Sequence, residues 1–329
     1  MTIVTQFACG VLFTAMVVDA IRNFFERHDI RGRIVAACSG GVDSTALLVA
    51  LVEAKTDVVC GHVNHHLRGP ESDGDEAFVR SLCSRLGVRL EVRDGLLDSE
   101  SIRQRGIEAA ARDVRHARLH EIREATDARY IATAHQKNDQ AETIVMRIAT
   151  GTGLAGLRGI HPVRDDGIIR PLLDVTRGEI DAFLAERNIT ARIDRMNDDP
   201  RFLHNRVRAA LRELGLAAID NIASVAAQAQ EMWPVIEQAI DGAGIVEASA
   251  GETRFVVWPD DPWMRQALLH RHIRRLDAHS RDVSAKDLER LVSQLDALKR
   301  VTVTKTLELV RTGDVVVLRE IPVESRRVR

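Results

Sequence analysis

The stretch VAACSGGVDSTALL, Val35–Leu48, constrains the fold more than any other part of the chain. A short apolar run, Val35 to Cys38, breaks at two glycines and resumes with helical spacing. Leu48, Leu51 and Val52 then share one stripe of a helix expected over Thr45–Ala54. A strand that turns through glycines into a helix offers unpaired amides and the positive end of the helix dipole, an arrangement suited to phosphate. In Ser39-Gly40-Gly41-Val42-Asp43-Ser44 the glycines allow close backbone approach and the two serines add hydroxyl donors. The lysine of Walker-type loops is missing, and Asp43 stands near its place. Phosphate repels a carboxylate there unless a metal ion or a cationic substrate lies between them. Asp43 is therefore a candidate Mg²⁺-organising or amine-binding group. The alternative is a glycine turn capped by Asp and Ser with no ligand.

The pattern that follows fixes the class. Strands are expected at Asp57–Val63, Val88–Val92 and Tyr130–Ala134. Helices are expected from Ser72 to Leu86, closed by Gly87, and over Ile107–Ala125 and Asp139–Ala149. Ser72-x-x-Asp75 and Thr176-x-x-Glu179 have the form of capping boxes. Strands alternating with helices predict an α/β domain, a parallel sheet covered on both faces. Beyond Gly215 the pattern changes. Ala217–Ala243 reads as one long helix, followed by short strands at Phe255–Trp258, Thr302–Leu307 and Asp314–Leu318 mixed with helices. The expected organisation is a nucleotide-binding domain over 1–216, a helical connector over 217–245 and a smaller α+β domain over 246–329.

Composition excludes several classes. The 329 residues are 45% hydrophobic with a net charge of −2, so a sizeable core is expected and nucleic acid must be met by local patches. Phe7–Val18 is apolar but too short to span a bilayer, and it lacks a basic n-region and a cleavage site. It reads as the start of a buried helix continuing through IRNFFERH, with Met16 as an alternative start. No membrane association is expected, and a cytoplasmic location is. Cys9, Cys38, Cys60 and Cys83 include no C-x-x-C pair, which argues against a cysteine zinc site, a dithiol motif or an iron–sulfur cluster. They read as reduced, buried thiols.

Four further constellations carry chemistry. His135 to Thr143 leaves the carboxyl end of a strand, where parallel sheets bind ligands, and Asp139 and Glu142 fall on one helix face. They suit an amine or a metal, or simply complement the helix dipole. Glu108 and Arg112, four apart, either pair on the surface or leave Arg112 to reach developing phosphate charge. Arg201, Arg206, Arg208 and Arg212, with His204 and Asn205, crowd basic groups into one segment. Arg265, Arg271, Arg274 and Arg275, interleaved with His270 and His272, form a second cluster. Each is either a solvated face or a grip on phosphate backbone.

Ser39–Ser44 matches the S-G-G-x-D-S signature of the PP-loop ATP pyrophosphatases, in which such a loop holds the β- and γ-phosphates during attack on the α-phosphate. Six further segments occur in the order seen in the tRNA(Ile)-lysidine synthetase family: His62–Arg68, Glu108–Arg112, His135–Thr143, Gly151–Leu157, Arg170–Leu173 and the D-x-x-N-D-D-P-R-F…N-R-V-R stretch from Asp194. The resemblance is strong from about Arg31 to Leu214 and weaker beyond. It implies an adenine-nucleotide alpha-hydrolase-like fold and ATP and Mg²⁺ as cofactors. It also implies free L-lysine and a CAU-anticodon tRNA(Ile) as substrates. ATP would adenylate the C2 carbonyl oxygen of the wobble cytidine, and the lysine ε-amine would displace AMP to give lysidine.

Carried onto this sequence, the resemblance gives Asp43, Asp139 and Glu142 to lysine and Mg²⁺ handling, and Arg112 to phosphate charge or the cytidine. Ser39, Gly40, Gly41, Val42, Asp43, Ser44, His62, Asn64 and His135 fall to the nucleotide. Arg68, Arg201, Asn205, Arg206 and Arg208 fall to tRNA, as does the C-terminal domain. His204, where the family has Arg, and His116, where it has Tyr, are departures. Paired subunits would be unsurprising for such an enzyme, although no segment marks an interface. The competing readings are another PP-loop enzyme, such as a tRNA thiolase, and a non-catalytic tRNA-binding paralogue.

Overall fold

The computed structural model describes residues 16–192, 203–277 and 283–321. The chain divides into two units, Met1–Thr143 with Gly159–Ala223, and Ile144–Arg158 with Ser224–Arg329.

The first unit opens with helix α1 (16–27). It continues β1 (Ile34–Ala37), α2 (Val42–Glu53), β2 (Val58–Asn64), α3 (Pro70–Leu86), β3 (Arg89–Asp94), α4 (Ser99–Arg105), α5 (Ile107–Ala125) and β4 (Tyr130–Ala132). Then come the start of α6 (Lys137–Thr150), β5 (Ile168–Ile169), α7 (Arg177–Glu186), α8 (Leu203–Leu214) and the start of α9 (Leu216–Gly242). The five strands are parallel in the order β3-β2-β1-β4-β5, the α/β class expected.

The two-residue period of the strands feeds two cores. Ile34 and Ala36 of β1 join Leu47, Leu48 and Leu51 of α2, Val79 and Leu82 of α3 and Phe183 of α7. Val35 faces the other way, onto Leu119 and Ile122 of α5 with Ile131 and Ile168. Each fully buried Leu or Ile here contributes about 1.5–3 kcal/mol relative to exposure. Gly61 on β2 sets how closely α5 lies on the sheet: a Cβ there would stand 2.8 Å from Val35 Cγ1 and 3.0 Å from Leu119 Cδ2.

The strand order positions the site. From β1 the chain moves outward to β2 and β3, then returns past β1 to β4 on its other side. That reversal sets the carboxyl ends of β1 and β4 side by side, the place where open parallel sheets bind ligands.

Some local expectations are corrected. Helix α2 begins at Val42 rather than Thr45, directly on the glycine turn. Ser72 and Asp75 form no capping box, because α3 starts earlier, at Pro70 after Gly69 (φ 54°). Ser72 Oγ accepts the Arg68 amide, and the Asp75 carboxylate takes Arg68 and Arg192. The Thr176–Glu179 box forms as expected.

The second unit holds β6 (Val246–Ser249), β7 (Glu252–Phe255), α10 (Pro262–Leu276), α11 (Ala285–Ala297), β8 (Arg300–Thr302), β9 (Leu307–Thr312) and β10 (Val315–Glu320). The strands form an antiparallel sheet, β6-β7-β10-β9-β8. Phe255, Leu269, Ile273, Leu291, Leu309, Val316 and Leu318 lie in its core. Phe255 ends a strand instead of starting one, because β6 and β7 turn back at Gly251 (φ 76°). The strand expected over Thr302–Leu307 is instead the turn that joins the end of β8 to the start of β9, closed where Thr304 Oγ1 accepts the amides of Thr306 and Leu307. Among the described residues no helix is long and apolar enough to cross a membrane.

Candidate active site

Gly40 lies at φ +90°, left-handed territory that favours glycine, although a Cβ there would find only ordinary contact with Phe78 Cδ1 at 3.4 Å and the Asp75 carbonyl at 3.5 Å. Its carbonyl is held by Thr45 Oγ1 (3.3 Å) and the Arg192 amide (3.0 Å). Ser44 fastens the loop from inside: its Oγ accepts the Ser39 amide at 3.2 Å and donates to the Gly41 carbonyl at 3.1 Å. Gly41 caps α2 without any side-chain hydrogen bond. Helix geometry therefore leaves the Val42, Asp43 and Ser44 amides open to an anion, with the helix dipole behind them.

Beside this loop three carboxylates converge. Asp43 is half-buried. Its Oδ2 accepts from Arg177 Nη1 at 3.4 Å, and its Oδ1 is buried with no partner. Burial raises its pKa, Arg177 opposes that, and the charges of Asp181 and Glu142 push it further up. Asp139 accepts the Gln136 amide at 3.0 Å while Gln136 Oε1 accepts the Asn138 amide at 2.7 Å, closing the first turn of α6. The dipole-complementing reading and the site reading thus fall on one residue. Burial raises the Asp139 pKa to about 7, with Asp43 and Glu142 adding to the rise and the Gln136 amide and Arg208 opposing it. Glu142 is gripped by Arg208, with Nε to Oε1 at 2.9 Å and Nη2 to Oε2 at 3.0 Å.

The acids come from α2 and α6, and the two arginines from α7 and α8. Arg177 was not singled out in the sequence; its position next to the Thr176 cap was the available signal. Arg208, expected on tRNA, here holds a carboxylate. Among the described residues no three His, Cys, Asp or Glu donors converge tightly enough to hold a metal ion by themselves. Mg²⁺ usually takes one or two carboxylates and completes its shell with substrate phosphates and water. The buried, partnerless Oδ1 of Asp43 next to the phosphate loop fits that mode.

The α5 side carries the opposite charge. His135, after β4, shares a hydrogen bond with Thr133 Oγ1 through Nδ1 (3.1 Å). Burial, then Arg170, Arg115 and Arg112, lower its pKa to about 3. His116 is lowered to about 4 by burial and by Arg115, Arg164 and Arg112. Arg170 is buried, with Nη1 on the His161 carbonyl and Nε without a partner. Arg112 and Arg115 are exposed, and neither has an ion-pair partner among the described residues. Glu108 and Arg112 do not pair.

His62 is buried, its Nδ1 2.8 Å from the Cys38 carbonyl and its Nε2 partnerless. Asn64 is engaged on both sides, donating to Glu76 Oε2 (3.1 Å) and accepting the His66 amide (2.9 Å). Cys38, Cys60 and Cys83 are free and buried.

The residues expected on RNA differ in their surroundings. Arg68 is bound to Asp75 at 2.6 Å, Asn205 is buried, and Arg206 is exposed. Arg201 lies outside the described residues. In the second unit most of the basic cluster serves the fold. Arg265 bonds the Pro259 carbonyl and Asp296, Arg271 pairs with Asp241, and Arg275 holds the Ser249 and Glu252 carbonyls. Arg274 is exposed.

A family model described as a PP-loop domain matches residues 14–214. The chain belongs to the PP-loop family. Membership implies the use of ATP. Over 180 residues, 53% of this chain, it is 44% identical to a curated tRNA(Ile)-lysidine synthase from Porphyromonas gingivalis, 39% of which is covered. Over 205 residues, 60% of this chain, it is 38% identical to the tRNA(Ile)-lysidine synthase of Clostridium acetobutylicum, covering 44% of that protein. The chain thus spans about two fifths of the length of these curated relatives. Among solved structures, the U34-tRNA thiolase NcsA from Methanococcus maripaludis superposes with a TM-score of 0.55 at 16% identity. That match covers 68% of this chain and 80% of that one. At this identity the match speaks for the fold alone.

Proposed function

We propose that this PP-loop protein ligates free L-lysine to C2 of the wobble cytidine of CAU-anticodon tRNA(Ile), consuming ATP. The observation that carries the reading is the convergence of Asp43, Asp139 and Glu142 beside a phosphate-holding loop. Acids next to bound phosphate make sense when a cation is the second ligand. The similarity to curated tRNA(Ile)-lysidine synthases supports lysine as that cation and tRNA as its acceptor.

In the proposed reaction, the cytidine O2 attacks the α-phosphate of ATP and pyrophosphate leaves. The amides of Val42, Asp43 and Ser44 and the hydroxyl of Ser39 hold the departing phosphates. The lysine ε-amine then adds at C2 and AMP leaves. The proton lost by the amine passes to a carboxylate, and Asp139, with its pKa near 7, is matched to that task. Asp43 is the carboxylate suited to Mg²⁺, which would neutralise phosphate charge. Arg112 is assigned to phosphate charge or to the cytidine that enters the crevice. For its base to react, the cytidine must leave the anticodon stack. Arg206 and the domain over 246–329 are assigned to the tRNA backbone.

The thiolase alternative needs reactive sulfur, and the described cysteines are buried in the core. The test is product dependence. Pyrophosphate release should require CAU-anticodon tRNA, and AMP release should require tRNA and lysine together. Pyrophosphate released equally without tRNA would defeat the reading.

A further inference from the structure

The crevice between β1 and β4 has two electrostatic walls, and the proposed chemistry uses one fully. On the other, α5 presents Arg112 and Arg115, three apart and so on one helix face. Arg115 and Arg112 lie within electrostatic range of each other and of His135 and His116, and Arg112 also of Arg170. Arg170 comes from just beyond β5, buried, with its Nε unpaired. Apart from the Arg164–Asp166 pair at its margin, the described residues bring no carboxylate to these guanidinium groups as an ion pair. The arginines elsewhere in this unit are mostly tied down: Arg33 to Asp57, Arg68 to Asp75, Arg187 to Glu53, Arg208 to Glu142. Glu108 lies within electrostatic range of Arg115 and Asp166 within range of Arg170, but neither forms an ion pair with these guanidinium groups. Like charges held together without such pairing are costly unless an anion completes them.

We propose that Arg115, together with Arg112, forms a phosphate subsite for RNA on the α5 wall, with buried Arg170 reinforcing its positive potential. The anion is a phosphodiester flanking the nucleotide that enters the crevice. The triphosphate of ATP is assigned instead to the Ser39–Ser44 loop. Arg115 thereby becomes a positioning residue, holding the strand while Asp43, Asp139 and Glu142 handle the amine. This proposal rests on the tRNA-modifying reading.

The test is binding of a CAU anticodon stem–loop RNA by fluorescence anisotropy between about 50 and 200 mM salt, with ATP affinity measured separately without RNA. Arg115→Ala should raise Kd for RNA about tenfold and reduce the salt slope by about one, leaving ATP affinity intact. Arg115→Lys, which keeps the charge, should retain the slope. Arg118→Ala, on the same helix but bonded to the Asp94 carbonyl and Glu121, should change neither. An unchanged slope in Arg115→Ala overturns the proposal. Weaker ATP binding with RNA binding preserved also overturns it, because the anion would then be the nucleotide's own phosphate. A wild-type protein that binds ATP but no RNA would instead bring down the tRNA reading, and the subsite with it.

Discussion

Arg208 of α8 grips both carboxylate oxygens of Glu142 of α6, at 2.9 and 3.0 Å, across 66 residues of chain. Planar two-point contacts of this kind are the stronger ion pairs, and Glu142 is largely buried. In the proposed reaction the Glu142 carboxylate is therefore oriented in advance by a cation that the amine would have to share. Arg208→Ala should lower stability by about 2 kcal/mol and raise the KM for lysine more than it lowers kcat. A double-mutant cycle with Glu142→Gln should give coupling of about 1.5–3 kcal/mol in denaturant unfolding. Additive effects would mean the contact does not hold in solution.

Asp139 predicts a proton signature. With its pKa near 7, a good part of Asp139 is protonated at neutral pH, and a cationic amine binding beside it favours the charged form. Lysine binding should release protons near pH 7 and tighten as pH rises from 6 to 8. Calorimetry in buffers of different ionisation enthalpy reads this directly, and Asp139→Asn should abolish it. Binding without proton exchange would take Asp139 out of the amine site.

Two glycines separate loop geometry from packing. Gly40→Ala puts a side chain at φ +90° and should cost about 1–2 kcal/mol while sharply weakening ATP binding. Gly61→Ala overpacks α5 against β1 and should cost about 1–3 kcal/mol, with ATP affinity per folded molecule unchanged. Nucleotide titrations beside urea unfolding distinguish the two, and equal effects on ATP would contradict the assignment.

The histidines set an acid limit. His135 and His116 have folded pKa values of about 3 and about 4, below the ordinary 6.5. Between those values and 6.5 the unfolded chain binds protons that the folded chain does not. Their contribution is therefore flat above pH 6.5 and turns against folding as pH falls through that window. Asp139 acts in the opposite sense: from pH 3.8 to about 7 the folded chain holds the extra proton, so stability gains on acidification. Replacing His135 with Gln should flatten the acid slope of the urea midpoint between pH 4 and 6.5. A slope equal to wild type would show that His135 is not held neutral.

Much of this was legible in the sequence, for physical reasons. Gly40-Gly41 between an apolar run and a helical stripe marks a strand–loop–helix unit, and strands alternating with helices leave few arrangements other than a parallel sheet. Asp139 and Glu142 are local neighbours, so their common face follows from helix geometry. The partners were not legible. Arg208 reaches Glu142 and Arg177 reaches Asp43 only through tertiary packing, and no local pattern distinguishes either from other surface arginines. Ser72 and Asp75 have the spacing of a cap, but Pro70 starts the helix first and leaves them to bind Arg68 and Arg192. The basic run in α10 reads from sequence as either a solvated face or a phosphate grip, and sequence does not reveal that Asp241, Asp296 and the Ser249 carbonyl already engage Arg271, Arg265 and Arg275.

In the proposed reaction the acids beside the phosphate loop receive lysine. The most direct measurement incubates the protein with ATP, labelled lysine and CAU-anticodon tRNA(Ile), digests the tRNA and weighs its nucleosides. The account predicts one labelled lysine per tRNA, on the wobble cytidine, absent in Asp43→Asn and Glu142→Gln. A tRNA that gains sulfur or ammonia instead, or stays unmodified while ATP is consumed, would contradict it.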